Sequence, residues 1–398
     1  MNRLQERLET FLGGLKTSHA ERVLRPVQPE AGGVLRREGR ELLNFSSNNY
    51  LGLATHPLLI TRAQAWTRSH GAGATASRLV CGTFDLHEKV ESRLAALKGT
   101  ETALILNSGF QANAAVLPAL FDRSMLGRDP LVFTDRLNHA SLHHGCLAAG
   151  VRQIRFRHND LDHLEQLLSG HAGQSGQRFI LTESVFSMDG DRAEMEGLLA
   201  LAERFDAFLY VDEAHATGVL GPGGMGLTSA FPGRFDLVMG TFSKALGGFG
   251  AYIACSHQLK AYLINRCAGF LYSTALPPAV LGAMDAALEL VPSLEAERAQ
   301  LHANADRLRE GLRKLGLDYG NSTTQIVPAI LGDAARTLEA SKILEAEGIL
   351  AIPIRPPTVP AGTSRIRFAV SAMHGPAEMD RLLAALPRMA AVTPQAVS

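Results

Sequence analysis

Lys244 stands in Thr241-Phe242-Ser243-Lys244-Ala245-Leu246-Gly247-Gly248, about thirty residues after Asp212-Glu213-Ala214-His215. A lysine among small residues at the end of an apolar strand can hold an aldehyde as a Schiff base. A carboxylate at the end of a second strand can hold a protonated pyridine nitrogen. Those are the two protein groups that pyridoxal phosphate (PLP) chemistry needs. Taken singly, Lys244 reads as a surface lysine and Asp212 as a helix cap. Taken together, they point to the cofactor.

The neighbouring residues extend that reading. Thr241 and Ser243 offer hydroxyls to a phosphate, and Gly247 and Gly248 allow backbone to pass close to a ligand. His215 has the reach to bond a phenolic oxygen on such a ring. Asn107-Ser108-Gly109-Phe110-Gln111-Ala112-Asn113 follows an apolar run. A glycine turn opening a helix there would turn backbone N–H groups toward a phosphate at Gly109. In Asp135-Arg136-Leu137-Asn138-His139-Ala140-Ser141, His139 is placed to lie over a ring and to reach a substrate carbonyl. His139 and His143 also have zinc-compatible spacing, but no H-E-x-x-H glutamate accompanies them, so metal is not expected. Ser187 follows another apolar run, with turn chemistry as its plain alternative. Arg355 and Arg367, beside the proline-stiffened Ile354–Pro360 segment, are candidates for holding carboxylates in a bidentate fork.

Apolar runs must position these groups. Strands are predicted at Ala103–Leu106, Leu131–Phe133, Gln153–Phe156, Phe179–Leu181, Phe208–Val211, Leu237–Met239 and Ala251–Cys255. Several are unbroken apolar runs, as expected of strands covered on both faces. Helical patterns lie between them, for example Asp160–Leu168 and Ala193–Arg204, and Asp85-Leu86-His87-Glu88 resembles a capping box. The layout is α/β with a mainly parallel sheet, in which ligands gather beyond the carboxyl ends of the strands. Residues 1–19 read as an amphipathic helix and Arg22 to Gly39 as an extended arm. After Pro277 long helical patterns run to Lys314, followed by an extended Gln325–Leu331, a helix near Ala335–Glu347 and an extended Ile352–Val370. This second region reads as a smaller α+β domain.

Composition excludes other classes. With 39 basic and 39 acidic residues in 398, the chain has no electrostatic reason to seek nucleic acid or an anionic membrane. Cys81, Cys146, Cys255 and Cys267 are widely spaced and suit a reducing compartment. No apolar run approaches the ~20 residues of a membrane span, and the N-terminus lacks a signal-like apolar block. A cytoplasmic protein is expected.

With these blocks assembled, the chain resembles the α-oxoamine synthases, PLP enzymes of the aspartate-aminotransferase fold. The resemblance runs from about Arg22 to Ser371. It rests on segments such as Asn44–Leu53, Ser77–Thr83, Ser108–Asn113, Asp135–Leu142, Glu183–Asp191, Val211–Gly218, Thr241–Gly248, Leu271–Pro278 and Ile354–Arg367, in one order. It implies PLP fold type I, a three-layer α/β/α large domain at 46–285, an N-terminal helix and arm at 1–45 and a small domain at 286–398. Lys244 is then expected to bind PLP and move the α-proton, with Asp212 on the pyridinium and His139 stacked on the ring. Ser187 and His215 would bind its polar edge, and Gly109, Phe110 and Thr241 its phosphate region. Thr274 resembles a residue that reaches the phosphate from the partner subunit of a homodimer. Arg367 and Asn48 would hold the amino-acid carboxylate, and Arg22 and Thr358 would contact the acyl substrate.

The Ile354-Arg355-Pro356-Pro357-Thr358-Val359-Pro360 segment is similar to the biotin-pathway branch of that family. This implies condensation of L-alanine with a pimeloyl thioester on CoA or a carrier protein. A glycine- or serine-using synthase and a same-fold aminotransferase are the alternatives. A non-catalytic subunit is disfavoured because Lys244, Asp212 and His139 are all present. Asn49, Glu213 and Cys81 depart from the usual Asp, Asp and Ser of the pattern.

Overall fold

The computed structural model describes residues 2–18 and 20–392. Each predicted apolar run is a strand of one seven-stranded sheet: β1 (Thr102–Leu106), β2 (Leu131–Asp135), β3 (Gln153–Phe156), β4 (Arg178–Glu183), β5 (Ala207–Asp212), β6 (Leu237–Thr241) and β7 (Ala251–Cys255). The order is β1-β7-β6-β5-β4-β2-β3. β3, β2, β4, β5 and β6 pair in parallel, whereas β7 runs antiparallel to both β1 and β6. β1 therefore points the same way as the parallel set, and six carboxyl ends open on one edge.

The strands reach further than their apolar cores. Asp135, Glu183, Asp212 and Thr241 each close a strand as its last residue, and Glu183 pairs directly with Asp212 in the ladder. Hydropathy alone stops the run early, because a polar residue at the ligand edge keeps the backbone pairing while losing the apolar signal. β1, β6 and β7 are buried at every residue, so both faces of the sheet are covered. Helix Gly109–Leu120 packs on helix Ala140–Ala148. Gly145 permits that approach: a Cβ there would sit 2.5 Å from the Asn113 carbonyl oxygen and 2.8 Å from Leu117 Cδ1. Phe121 meets Phe179 edge-on at 4.9 Å between ring centroids. Each such fully buried large side chain contributes about 1.5–3 kcal/mol through burial.

One local expectation is corrected. Asp85 is the first residue of helix Asp85–Lys98 and does not form a capping box with Glu88. Instead, His87 Nδ1 accepts the Phe84 N–H at 3.1 Å. A histidine three residues in can take the place of the usual Glu or Gln.

These elements belong to a compact unit of residues 48–187 and 191–299. A second unit comprises 1–47, 188–190 and 300–398. In it, Val34–Arg37 and Arg40–Asn44 form a hairpin, and Ile349–Leu350 joins the latter strand in parallel. The arm is thus built into the C-terminal unit through a shared sheet. Ile326–Gly332, Ser364–Ala369 and Ile352–Ile354 form a second, antiparallel sheet. Gly190 belongs to this unit at φ +71°, with the Ile326 carbonyl oxygen 1.9 Å from where a Cβ would stand. Helix Arg3–Thr17 is capped by Asn2 and buries none of its residues. Among the described residues, no helix is long and apolar enough to cross a membrane.

Candidate active site

Lys244, Asp212 and His139 line one cavity of about 230 Å³ at the carboxyl edge of the sheet. Asp212 is buried at the end of β5. Its Oδ2 accepts from Asn113 Nδ2 at 2.8 Å and its Oδ1 from the Ala214 N–H at 2.9 Å. The segment that follows is turn rather than helix, so this carboxylate caps no helix.

Lys244 lies in the turn after β6, half-buried. That turn is held by Thr241, whose Oγ1 donates to the Gly250 carbonyl at 2.8 Å and accepts the Ser243 N–H at 3.2 Å. Gly247 closes it at φ +66°, where a Cβ would stand 2.4 Å from the backbone of Leu53 and Ala54. Only glycine satisfies both the positive φ and that contact.

His139 is the N-cap of helix Ala140–Ala148, so its backbone role and its place in the cavity coincide. Its Nδ1 accepts the Ser141 N–H at 3.3 Å and contacts Ser141 Oγ at 2.7 Å. Its own N–H donates to Glu183 Oε1. Burial lowers the pKa of His139, and the Lys244 charge adds to that, against the opposing pull of Asp212. The ring is therefore neutral near pH 7. Glu183 faces the same cavity. Burial and the charge of Asp212 push its carboxyl well above the usual range, toward the protonated form.

His215 is buried, and its Nδ1 is 2.8 Å from the Tyr50 hydroxyl. That hydroxyl donates to Asn48 Oδ1 at 3.0 Å, so it accepts from His215. Gly109 and Phe110 open helix Gly109–Leu120 at the cavity wall, with Ser108 as N-cap. Ser187 sits half-buried in the turn after β4.

The remaining predicted residues lie elsewhere. Thr274 is exposed and sits with Asn107, which donates from Nδ2 to its carbonyl at 3.0 Å. Arg22, Arg355, Thr358 and Arg367 belong to the second unit. There Arg22 Nη2 donates to Thr358 Oγ1 at 3.2 Å, and Arg355 donates to the Glu21 carbonyl at 3.4 Å. Burial, reinforced by the Arg22 charge, lowers the pKa of Arg355. Arg367 is buried on strand Ser364–Ala369. His143 is paired with Gln153 Oε1 at 2.7 Å. The departures have local roles. Glu213 is fully buried against Lys98, Asn49 accepts the Ala54 N–H at 3.2 Å, and Cys81 is exposed.

Sequence reasoning missed Asn113, Ser141, Tyr210, Tyr50 and Glu183. All five stand inside quoted segments, and a polar residue ending a buried strand was the available signal for Glu183. Asn113 and Tyr210 lie mid-helix and mid-strand, where only tertiary contact reveals a role.

The cavity fits PLP on this structure's own terms. A buried carboxylate at the cavity wall, aimed by an amide and a backbone N–H, suits a cationic ring nitrogen. An amine stands in the same cavity, and helix N–H groups with Thr241 and Ser243 hydroxyls suit a phosphate.

Comparison with known proteins gives a consistent result. The model of the family aminotransferase class I and II matches residues 40–386. The chain is 60% identical over 388 residues to the 8-amino-7-oxononanoate synthase of Gluconacetobacter diazotrophicus, covering 97% of each chain. It is 48% identical over 372 residues to the enzyme of that name in Geobacter sulfurreducens, covering 92% of this chain and 94% of the other. Among solved structures it is similar to a serine palmitoyltransferase from S. paucimobilis with a bound PLP-myriocin aldimine. That match has a TM-score of 0.90 at 28% identity, over 98% of this chain and 99% of that one.

Proposed function

The chain belongs to the aminotransferase class I and II family and, within it, to the α-oxoamine synthases of PLP fold type I, and on that premise we propose that it is an 8-amino-7-oxononanoate synthase. It joins L-alanine to a pimeloyl thioester in biotin formation, releasing CO2 and the free thiol. The observation that carries this reading is the meeting of Lys244, Asp212 and His139 in one cavity.

Bound there, PLP supplies an electron sink for the pair left when a bond at the alanine Cα breaks. Asp212 holds the proton on the ring nitrogen, and Asn113 and the Ala214 N–H keep its two oxygens aimed. Lys244 takes the proton from the alanine Cα and returns one after CO2 is lost. His139 is neutral and anchored at Nδ1, which leaves Nε2–H to donate to a substrate oxygen. His215 is oriented by Tyr50 to bond the ring's polar edge. Bonds balance: one Cα–H and one Cα–carboxylate bond break, one C–C bond forms at the acyl carbon, the thiol departs, and one Cα–H bond is restored.

Arg22, Arg355 and Thr358 support an acyl-binding role, and Arg367 and Asn48 a carboxylate-binding one. Two copies are proposed to work as a homodimer, with Thr274 reaching the partner's phosphate site. Leu79 (54% exposed), Val80 (77%) and Tyr272 (85%) support such an interface, being apolar side chains that water would otherwise cover. Four unpaired cysteines support a cytoplasmic setting.

The test is mass spectrometry of the product formed from alanine and pimeloyl-CoA, with glycine and serine as competitors. The product 8-amino-7-oxononanoate is expected. A glycine- or serine-derived product in its place would move the chain to another branch. A keto acid formed from alanine without any thioester would make it an aminotransferase.

A further inference from the structure

Asn113 joins the two sides of the cavity. Its Nδ2 donates one hydrogen to Asp212 Oδ2 at 2.8 Å and the other to Ser141 Oγ at 2.9 Å. Its Oδ1 accepts from the Tyr210 hydroxyl at 2.6 Å. A carboxylate cannot donate, so the amide nitrogen faces Asp212 and the orientation of the amide follows from chemistry. All of its hydrogen-bonding groups are in use, and Asn113 and Tyr210 are fully buried.

From Ser141 the network continues to His139. Ser141 Oγ, supplied with a hydrogen by Asn113, turns its own proton to His139 Nδ1 at 2.7 Å, and the Ser141 backbone N–H reaches the same nitrogen at 3.3 Å. Nδ1 therefore carries a lone pair, and the neutral ring carries its proton on Nε2. A planar amide that holds both partners prevents either from rotating alone, and polarisation along the chain strengthens each bond.

We propose that Asn113 is a positioning residue that aligns the Asp212 carboxylate and fixes the His139 tautomer through a single amide. What Nε2–H then does for the substrate rests on the reading of function given above; the network itself does not. Asn113 touches neither substrate nor cofactor in this account and acts through the residues it holds.

The experiment uses the full chain with 15N-labelled histidine, with and without PLP. Long-range proton–nitrogen correlation spectra would be recorded for wild type, Asn113→Ala, Ser141→Ala and Tyr210→Phe. Wild type is expected to show His139 protonated on Nε2 with a strongly bonded Nδ1. Asn113→Ala and Ser141→Ala are expected to move the Nδ1 signal toward that of an unbonded nitrogen. The kcat of Asn113→Ala is expected to fall about 10- to 100-fold, the size of one hydrogen bond to a charged group, and that of Ser141→Ala about 3- to 10-fold, the size of one neutral hydrogen bond. Tyr210→Phe spares both donor bonds and is expected to leave the His139 signals unchanged. The proposal is overturned if His139 keeps its wild-type signals in Asn113→Ala and Ser141→Ala, or if Tyr210→Phe shifts them as far, which would mark a packing role. Ser141→Ala removes one oxygen and decides the matter should Asn113→Ala fail to fold. Signal shifts as expected in a protein that takes up no PLP would uphold the network and remove the cofactor reading.

Discussion

Glu183 and Asp212 stand directly opposite each other at the carboxyl ends of adjacent parallel strands, both buried, and Glu183 is pushed toward its neutral form by burial and by the charge of its neighbour. Two carboxylates at one ladder rung cannot both ionise without cost. Asp212 has Asn113 and a backbone N–H as donors, whereas Glu183 accepts the N–H of His139.

Glu183→Gln keeps that acceptor and removes the titration. A carboxyl whose folded pKa is raised gives stability that is complete below its unfolded value of about 4.5 and is lost as pH rises through the folded value. The variant is therefore expected to gain on wild type as pH rises above about 4.5, by up to about 1.4 kcal/mol per pH unit until the raised folded value is passed. Urea unfolding at several pH values measures the gap. A gap that is flat with pH would show that Glu183 ionises normally.

Lys244→Ala is expected to unfold at the wild-type temperature within about 2 °C, because the side chain is only half-buried. Turnover is expected to fall by at least about 10²–10⁴-fold, the usual worth of a positioned proton-transfer group. The visible absorbance of PLP joined to an amine is expected to vanish. Retention of that band with full turnover would remove Lys244 from the reaction.

His158 bridges Asp135 at 3.0 Å and Asp191 at 2.8 Å through its two ring nitrogens. Burial opposes its charge, but the two carboxylates prevail and raise its pKa to about 10. The stability it brings is complete below about pH 6.5 and is lost as pH rises through about 10. His158→Gln is expected to cost about 3 kcal/mol at pH 6 and less at pH 9. Chemical denaturation of both proteins at the two pH values is the measurement. A cost that grows with pH would contradict a cationic His158.

Lys98 and Glu213 form an ion pair with both side chains fully buried, and Thr228 Oγ1 also donates to Glu213, at 2.6 Å. Lys98→Met leaves a buried carboxylate without its cation and is expected to cost about 3–5 kcal/mol. Lys98→Met combined with Glu213→Leu is expected to recover much of that loss, because no charge is then stranded. Thermal unfolding of the single and double variants tests this. A double variant as unstable as the sum of its singles would indicate that the pair is not coupled.

Much of the site was legible because strand ends are local facts. A run such as Phe208-Leu209-Tyr210-Val211 declares a buried strand, and the polar residue that follows must lie at its carboxyl edge, where α/β sheets place ligands. Lys244, Asp212, His139, Gly109 and His215 are expected at that edge for this reason, and the structure brings all five to one cavity. The capping of helix Asp85–Lys98 is less legible: the helix starts one residue earlier than the Asp85-x-x-Glu88 pattern implies, so the residue three positions in is His87, which accepts the Phe84 N–H, and hydropathy does not fix a helix start to one residue.

By itself, then, the order of residues determined which segments pair and which chemistry each strand end offers, since hydropathy and backbone geometry act over a few neighbours. Tertiary structure decided who holds whom. Asn113 meets Asp212 from 99 residues away, Tyr50 meets His215 from 165 and Lys98 meets Glu213 from 115. Hydrogen bonds and ion pairs are fixed by distance and angle within an ångström or so, and only packing of the finished sheet and helices sets those.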